Sequence, residues 1–251
     1  MWSVGWFHQN SLFSLRASAA TSLGGKSLLF PSPFTIKMAL VNATISKYGL
    51  EVARQKFPAI RDAAVAISVP DQVAVNKAFV KVQVFEDKVS KADIPTARKE
   101  GRYPFKSSVA FREFVAYHGL LGLALKADDN EVRSLMQNIN YFGKRGCFFQ
   151  CTSLEVSENL PDGFTLLTEP AENATMGTPQ VMDDIKPDVP FENISIYDNP
   201  KNDVRKPNMV VLPMVAARST YTYTLYRKVR IHTVDESQQN KSELESDFGL
   251  F

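Results

Sequence analysis

The sequence predicts an α+β fold, and three observations carry that expectation. Two segments, AFVKVQVF (78–85) and TYTYTLYRKVRIH (220–232), alternate apolar and polar residues as half-buried strands do. Two others, Asn42 to Ile67 and Val109 to Leu125, read as helices, the first from apolar residues at helical spacing and the second from its long apolar run. The 251 residues, 44% hydrophobic and with 17 phenylalanines, are ample for a core.

Taken in order, residues 1–37 look foreign to the rest. They carry three basic and no acidic side chains, are rich in serine, and end in Pro31-Ser32-Pro33 just before Met38. Acid-poor, serine-rich N-termini are typical of transit peptides, but Arg16 is the only arginine. The favoured reading is a start placed too far upstream, leaving a disordered extension ahead of a protein that begins at Met38. Residues 38–76 then form a helical segment, Asn42 to Ile67 with a break at Pro58, closed by a turn at Pro70-Asp71. The main domain spans 77–232. It opens with the AFVKVQVF strand, followed by a basic loop from Lys88 to Lys106 in which Pro95, Gly101 and Pro104 oppose regular structure. Ser107 or Ser108 caps the helix through Leu125, with Gly119 and Gly122 permitting close packing on a sheet. Asp128 to Asn138 is a polar helix or turn, and Tyr141 to Val156 a hairpin around Gly143 and Gly146. The acidic, proline-rich stretch Pro161 to Pro207 predicts long loops with short strands. Met209 to Val215 and Thr220 to His232 predict two closing strands, an additional C-terminal β region. Residues 233–251 are an acidic mobile tail.

A net charge of +2 hides segregation: +5 over 77–145, −9 over 146–200 and +6 over 201–232. Such blocks suit a polyanion-binding face beside an acidic one. The acidic pairs Asp128-Asp129 and Asp183-Asp184 read as solvated loops. No apolar run reaches the roughly 18 to 20 residues that cross a bilayer, so no membrane is expected. Cys147 and Cys151, if on one strand, lie roughly 13 Å apart, too far for a disulfide, and read as free thiols in a reducing cytoplasm. No histidine or cysteine cluster, Walker loop, dinucleotide fingerprint or G-x-S-x-G elbow appears, so neither metal nor cofactor is expected.

The most informative motif is Tyr141-Phe142-Gly143-Lys144-Arg145-Gly146. Glycines let the backbone approach a ligand while two cations project between flanking aromatics, a combination suited to RNA. A second cationic segment holds Arg98, Lys99, Arg102, Lys106 and Arg112, with Tyr103 and Phe105 interleaved. The two segments are expected to converge on one groove. The alternative for both is a solvated turn and a flexible connector.

The strand AFVKVQVF, the loop ending RYPFKSS, the stretch GLLGLAL and the later YFGKRGCFFQ together resemble the RAMP superfamily. Within it they resemble the "Cas five" family, the handle-capping subunit of type I CRISPR Cascade complexes. The resemblance covers roughly Lys77 to His232. It implies a ferredoxin-like, RRM-like domain whose first strand is AFVKVQVF, and the helix Asn42 to Ile67 is a departure from the family pattern. It implies a non-catalytic subunit that clasps the 5′ handle of a CRISPR guide RNA and caps one end of the effector complex. Expected partners are that RNA, the repeated backbone subunit and a large subunit. Arg102, Tyr103, Lys106, Ser107, Lys144, Arg145 and Gly146 match the family's RNA-binding pattern, with Arg98, Lys99, Arg112 and Tyr141 beside them. Tyr103, Tyr141 or Phe142 would stack on bases, and the Lys88 to Lys106 loop would be a thumb against the backbone subunit. Some members cleave precursor RNA without metal, using tyrosine, lysine and histidine. Tyr117 and His118 suggest that role, although a helical core position for His118 argues against it. An interaction module whose acidic middle docks a basic partner is the third reading.

Overall fold

The computed structural model describes residues 1–17, 25–86, 88–169, 176–194 and 204–229. Its strands are β1 (Trp2–Gln9), β2 (Ala64–Ser68), β3 (Gln72–Phe85), β4 (Phe105–His118), β5 (Leu121–Lys126), β6 (Phe149–Ser157), β7 (Thr165–Leu166), β8 (Thr178–Ile185), β9 (Arg205–Leu212), β10 (Met214–Ser219) and β11 (Tyr223–Lys228). Its helices are α1 (Pro33–Tyr48), α2 (Leu50–Arg61), α3 (Ile94–Lys99) and α4 (Asn130–Ser134).

The main sheet has the order β6-β1-β5-β2-β7, with every pairing antiparallel. Without the two-residue β7, this is a β-α-β-β-α-β chain whose four strands lie in the order 4-1-3-2, the ferredoxin-like arrangement. The first crossover is α1 with α2. The second is α4 with the 3-10 turn Leu135–Asn138. The α+β class is therefore as expected, but its strands are not those the sequence suggested.

The first strand is β1, inside the residues read as an extension. It lies in the middle of the sheet, hydrogen-bonded to β5 on one side and β6 on the other. Trp2 and Val4 pack on one face with Ala66 and Ala124, while Phe7 enters the main core on the other. Phe13, Leu29 and Phe30 are also buried. Residues 1–17 and 25–37 are thus part of the domain, and an acid-poor, serine-rich composition conceals a strand whose two faces are both covered. AFVKVQVF, expected to open the ferredoxin core, instead belongs to a hairpin inserted between the second and third core strands.

Ser32 caps α1, its hydroxyl accepting from the Thr35 amide at 3.3 Å, and Pro33 occupies the first turn. The break falls at Gly49, whose φ of 88° few other residues adopt, and not at Pro58, which lies within α2. The helix ends before Ile67, because Ala64–Ser68 is the strand β2 between β5 and β7. With β1 ahead of it, the helical segment is the regular first crossover rather than an addition, and the boundary at residue 76 cuts through β3.

The expected helix from Val109 to Leu125 is two strands. β4 pairs with β3 in unbroken register from Gln72–His118 to Phe85–Phe105. Gly119 turns the chain at a φ of 107°, and β5 enters the sheet. Its run LGLAL is uniformly apolar because β5 is buried on both faces between β1 and β2, a pattern that periodicity does not distinguish from a buried helix. Gly122 has no room for a side chain: a Cβ there would sit 2.9 Å from both Phe164 and Ser68. Within the basic loop, residues Ile94–Lys99 form the short helix α3.

The C-terminal β region is present as the β8–β9 pair and as β10-β11, which extends the β3–β4 hairpin into a four-stranded sheet. The expected strand Met209 to Val215 spans the end of β9 and the start of β10, broken at Pro213. Residues 230–232 and the tail 233–251 lie outside the described residues. Asp183 and Asp184, read as solvated, are buried on β8. Asp129 caps α4 and pairs with Lys56 at 2.9 Å. Both cysteines are free, and no helix among the described residues is long and apolar enough to cross a membrane.

Candidate nucleic-acid interface

The glycine-flanked turn is held by backbone hydrogen bonds and by the packing beneath it. The Phe142 amide donates to the Cys147 carbonyl at 3.2 Å, and the Cys147 amide donates to the Lys144 carbonyl at 3.1 Å. Gly143 and Gly146 hold φ values of 75° and 102°, so each needs the freedom of glycine. Beneath the turn, Phe142 packs edge-on against Phe7 and Phe149, with ring centres 5.5 and 5.0 Å away. The Ser11 hydroxyl donates to the Gly146 carbonyl and accepts from the Phe148 amide, tying the turn to the segment after β1. Lys144 and Arg145 are exposed above this base. Phe142 is fully buried and therefore cannot stack on a base, contrary to expectation, whereas Phe148 beside it is 50% exposed.

Beside the turn lies an open cavity of about 480 Å³ lined by Arg16, Arg112, Lys144 and Arg205, with Ser14 and Gly25 between them. The four cations come from four distant parts of the chain: the segment after β1, the middle of β4, the turn, and the start of β9. Lys144 makes no ion pair with a described residue. The Arg205 guanidinium lies 4.2 Å from the centre of the Phe34 ring and 3.0 Å from the Asp183 carboxylate, which aim it along the wall. Arg112 donates to the Phe111 carbonyl at 2.7 Å, leaving its remaining donors for a ligand.

One wall of the groove is the segment around Gly25, clamped onto β4. The Glu113 amide donates to the Gly25 carbonyl at 3.2 Å, and the Ser27 amide donates to the buried Glu113 carboxylate at 2.8 Å. A Cβ at Gly25 would fall 1.9 Å from the Phe111 carbonyl oxygen. Gly25→Ala is accordingly expected to push this wall off β4 and cost about 1 to 3 kcal/mol, read as a lowered urea midpoint. An unchanged midpoint would show that the wall yields freely.

The other predicted residues do not reach this groove. Arg98, Lys99, Arg102, Tyr103, Lys106 and Ser107 gather at the far end of the β3–β4 hairpin. Lys106 and Arg112 are six residues apart on one strand, about 20 Å at the rise of a strand. Several of these groups also have partners: Arg102 pairs with Glu100, Lys106 with Glu86, and Arg98 lies 5.6 Å from the Tyr103 ring centre. The Lys106 hydrogen bond holds the Glu86 carboxyl below its ordinary range. Ser107 accepts from Gln83 at 3.1 Å. The two cationic segments therefore make two sites, and only Arg112 and Lys144 come together. Tyr141, Arg145 and Gly146 stay with the turn but do not line the cationic groove.

Sequence reasoning missed Arg16 and Arg205. Arg16 carries a usable signal, a lone arginine in an acid-free stretch, but it falls within the residues that the sequence marks as an extension. Arg205 stands at the end of an acidic stretch, and only the β8–β9 pairing turns it toward the turn.

His118, expected in an apolar helix, is exposed at the end of β4. It lines a cavity of about 530 Å³ with Asp71, Gln72, Arg227 and Lys228. Tyr117 is not available beside it: its hydroxyl donates to the Leu29 carbonyl at 2.7 Å, and burial pushes it well above the ordinary tyrosine range. No cluster of three or more metal-ligating side chains occurs among the described residues.

No family model matches the chain. Over 137 residues it is 30% identical to the CRISPR-associated protein Cas5 of Archaeoglobus fulgidus, covering 54% of this chain and 54% of that protein. The chain thus matches about half the length of that curated relative. The similarity bears out the resemblance drawn from the motifs. A crystal structure of a CRISPR protein from Archaeoglobus fulgidus covers 91% of this chain and 92% of its own, at 13% identity and a TM-score of 0.45. That likeness adds nothing to the fold read from the strand order.

Proposed function

We propose that this chain is a non-catalytic RNA-binding subunit of a CRISPR effector complex, holding the 5′ handle of the guide RNA in the groove between the glycine-flanked turn and β4. The observation that supports this most is the convergence of Arg16, Arg112, Lys144 and Arg205 on one open groove. Four cations from separate elements around a cavity with no carboxylate among its described lining residues suit a chain of phosphates, because each phosphate brings its own charge and needs a counter-ion. The similarity to a CRISPR-associated protein supplies the class of RNA.

The long hairpin supports the capping role. Its far half exposes Phe79, Phe85, Phe105 and Val109, the first at 66% and the last at 69%. Apolar side chains concentrated on a projecting hairpin mark a protein contact, and the repeated backbone subunit is the partner this reading assigns to them. The large subunit would follow as a further neighbour.

The test is binding of a fluorescently labelled, repeat-derived RNA across a salt series. Losing two phosphate contacts on a single strand reduces the slope of log affinity against log salt by about 1.4. Arg112→Ala with Lys144→Ala is expected to show that reduction, while Lys126→Ala, on an exposed position outside the groove, keeps the slope. An equal reduction from Lys126→Ala would sink the groove as the site. RNA that co-purifies with the full chain is expected to be short and uniform, with a repeat-derived 5′ end.

A metal-independent endoribonuclease is the second reading, favoured by exposed His118 beside Arg227 and Lys228, since an imidazole can take the proton of a 2′-hydroxyl. Cleavage of repeat RNA in EDTA that His118→Ala abolishes would establish it. The interaction-module reading loses part of its basis, because Asp183 and Asp184 are engaged internally by Arg205 and Lys37.

A further inference from the structure

We infer that an apolar pocket on the other side of Gly143 takes one unstacked nucleobase of the bound strand, with Tyr141 as its stacking ring and Asn42 as the group that reads the base edge. The inference rests on the RNA-binding reading and names what the site would recognise within that RNA.

The pocket measures about 280 Å³ and lies between α1 and the glycine-flanked turn, lined by Met38, Ala39, Asn42, Ile45, Tyr141 and Gly143. A cavity for a whole small-molecule ligand runs to roughly 300–1,000 Å³, so this one suits a single ring system. It is continuous with the cationic groove. Met38 and Gly143 also line an intermediate cavity of about 270 Å³, and Arg16, Lys144 and Arg205 form that cavity's other side. A strand whose phosphates lie on the cations would pass Leu15 and Thr35, whose side chains pack beside Gly143, to place one base in this pocket.

The lining chemistry selects a base over other apolar ligands. Ile45, 37% exposed, and Met38 offer flat aliphatic contact, while Tyr141 offers a half-buried ring. The backbone of that ring is pinned by its bridge to Phe148. Stacking on such a ring is independent of base identity. Identity is left to Asn42, an exposed side-chain amide that hydrogen-bonds to no described residue. An amide both donates and accepts, and adenine presents the matching acceptor and donor together.

The test compares binding of labelled ten-nucleotide oligoadenylate and oligouridylate by fluorescence anisotropy, using the full chain. The wild-type protein is expected to prefer oligoadenylate about tenfold. Asn42→Ala is expected to erase that preference with little change toward oligouridylate, and Tyr141→Ala to weaken oligoadenylate about tenfold. Arg112→Ala with Lys144→Ala should weaken both oligomers and keep the preference. Asn42 is exposed on α1, so its variant tests the pocket even if the Tyr141 variant is damaged. If Asn42→Ala and Tyr141→Ala behave as wild type while the cation variants bind weakly, the pocket is overturned and the groove stands. If the wild-type protein binds neither oligomer, both are overturned.

Discussion

A chain shortened to begin at Met38 is expected not to fold. The deletion removes β1, which has hydrogen-bonded neighbours on both sides, so β5 and β6 would each lose a partner in the middle of the sheet. It also removes Phe7, Phe13 and Phe30, all fully buried, together with the Ser32 cap and the first turn of α1. Truncating one buried phenylalanine costs about 3 to 5 kcal/mol, and a whole domain is stable by only about 5 to 15 kcal/mol. Three such losses and an orphaned sheet exceed that margin. Circular dichroism and size-exclusion chromatography of the shortened chain should show no cooperative melt and extensive aggregation. A shortened chain melting within a few degrees of the full one would mean that β1 is dispensable. Phe7→Ala alone, expected to cost about 3 to 5 kcal/mol, gives the graded version of the same test.

Lys37→Ala is the second large effect, and it acts through a buried charge. The Lys37 ammonium lies 2.7 Å from the Asp184 carboxylate and donates to the Arg61 carbonyl at 2.7 Å, with only 2% of its side chain exposed. This pair fastens β8 to α1 and so carries Asp183 and Arg205 to the groove. Removing the cation leaves Asp184 buried and uncompensated, at a cost of about 3 to 5 kcal/mol. The double variant Lys37→Met with Asp184→Leu should recover most of it, because two apolar side chains owe no desolvation. Urea unfolding of the three proteins decides the matter, and a single-variant loss below about 1 kcal/mol would rule out a structural pair.

The pair also has a pH signature. Burial lowers the Lys37 ammonium below the ordinary lysine value of 10.5, and Asp184 offsets that only in part. The unfolded chain then binds this proton more tightly than the folded one. Stability contributed by this group therefore rises with pH in the interval just below 10.5, and the rise should vanish in the double variant.

By itself the sequence determined those features whose signal is local. Alternation marked AFVKVQVF and the Tyr223–Lys228 strand, because a strand sends successive side chains to opposite faces. The glycines around Lys144 and Arg145 marked a turn with projecting cations, because positive φ demands glycine at that point. The motifs marked a resemblance to CRISPR-associated proteins, in keeping with the 30% identity to a Cas5 protein over about half of the chain. Tertiary structure alone decided the rest. β1 and β5 are covered on both faces, so neither shows alternation, and by local pattern alone one resembles an extension and the other a helix. The groove draws Arg16, Arg112, Lys144 and Arg205 from positions up to 189 residues apart, and the hairpin register carries Arg102 and Lys106 away from them. Local spacing cannot report such a site, because what brings its charges together is the order in which strands pair, and that order is set by burying the two faces of the central sheet.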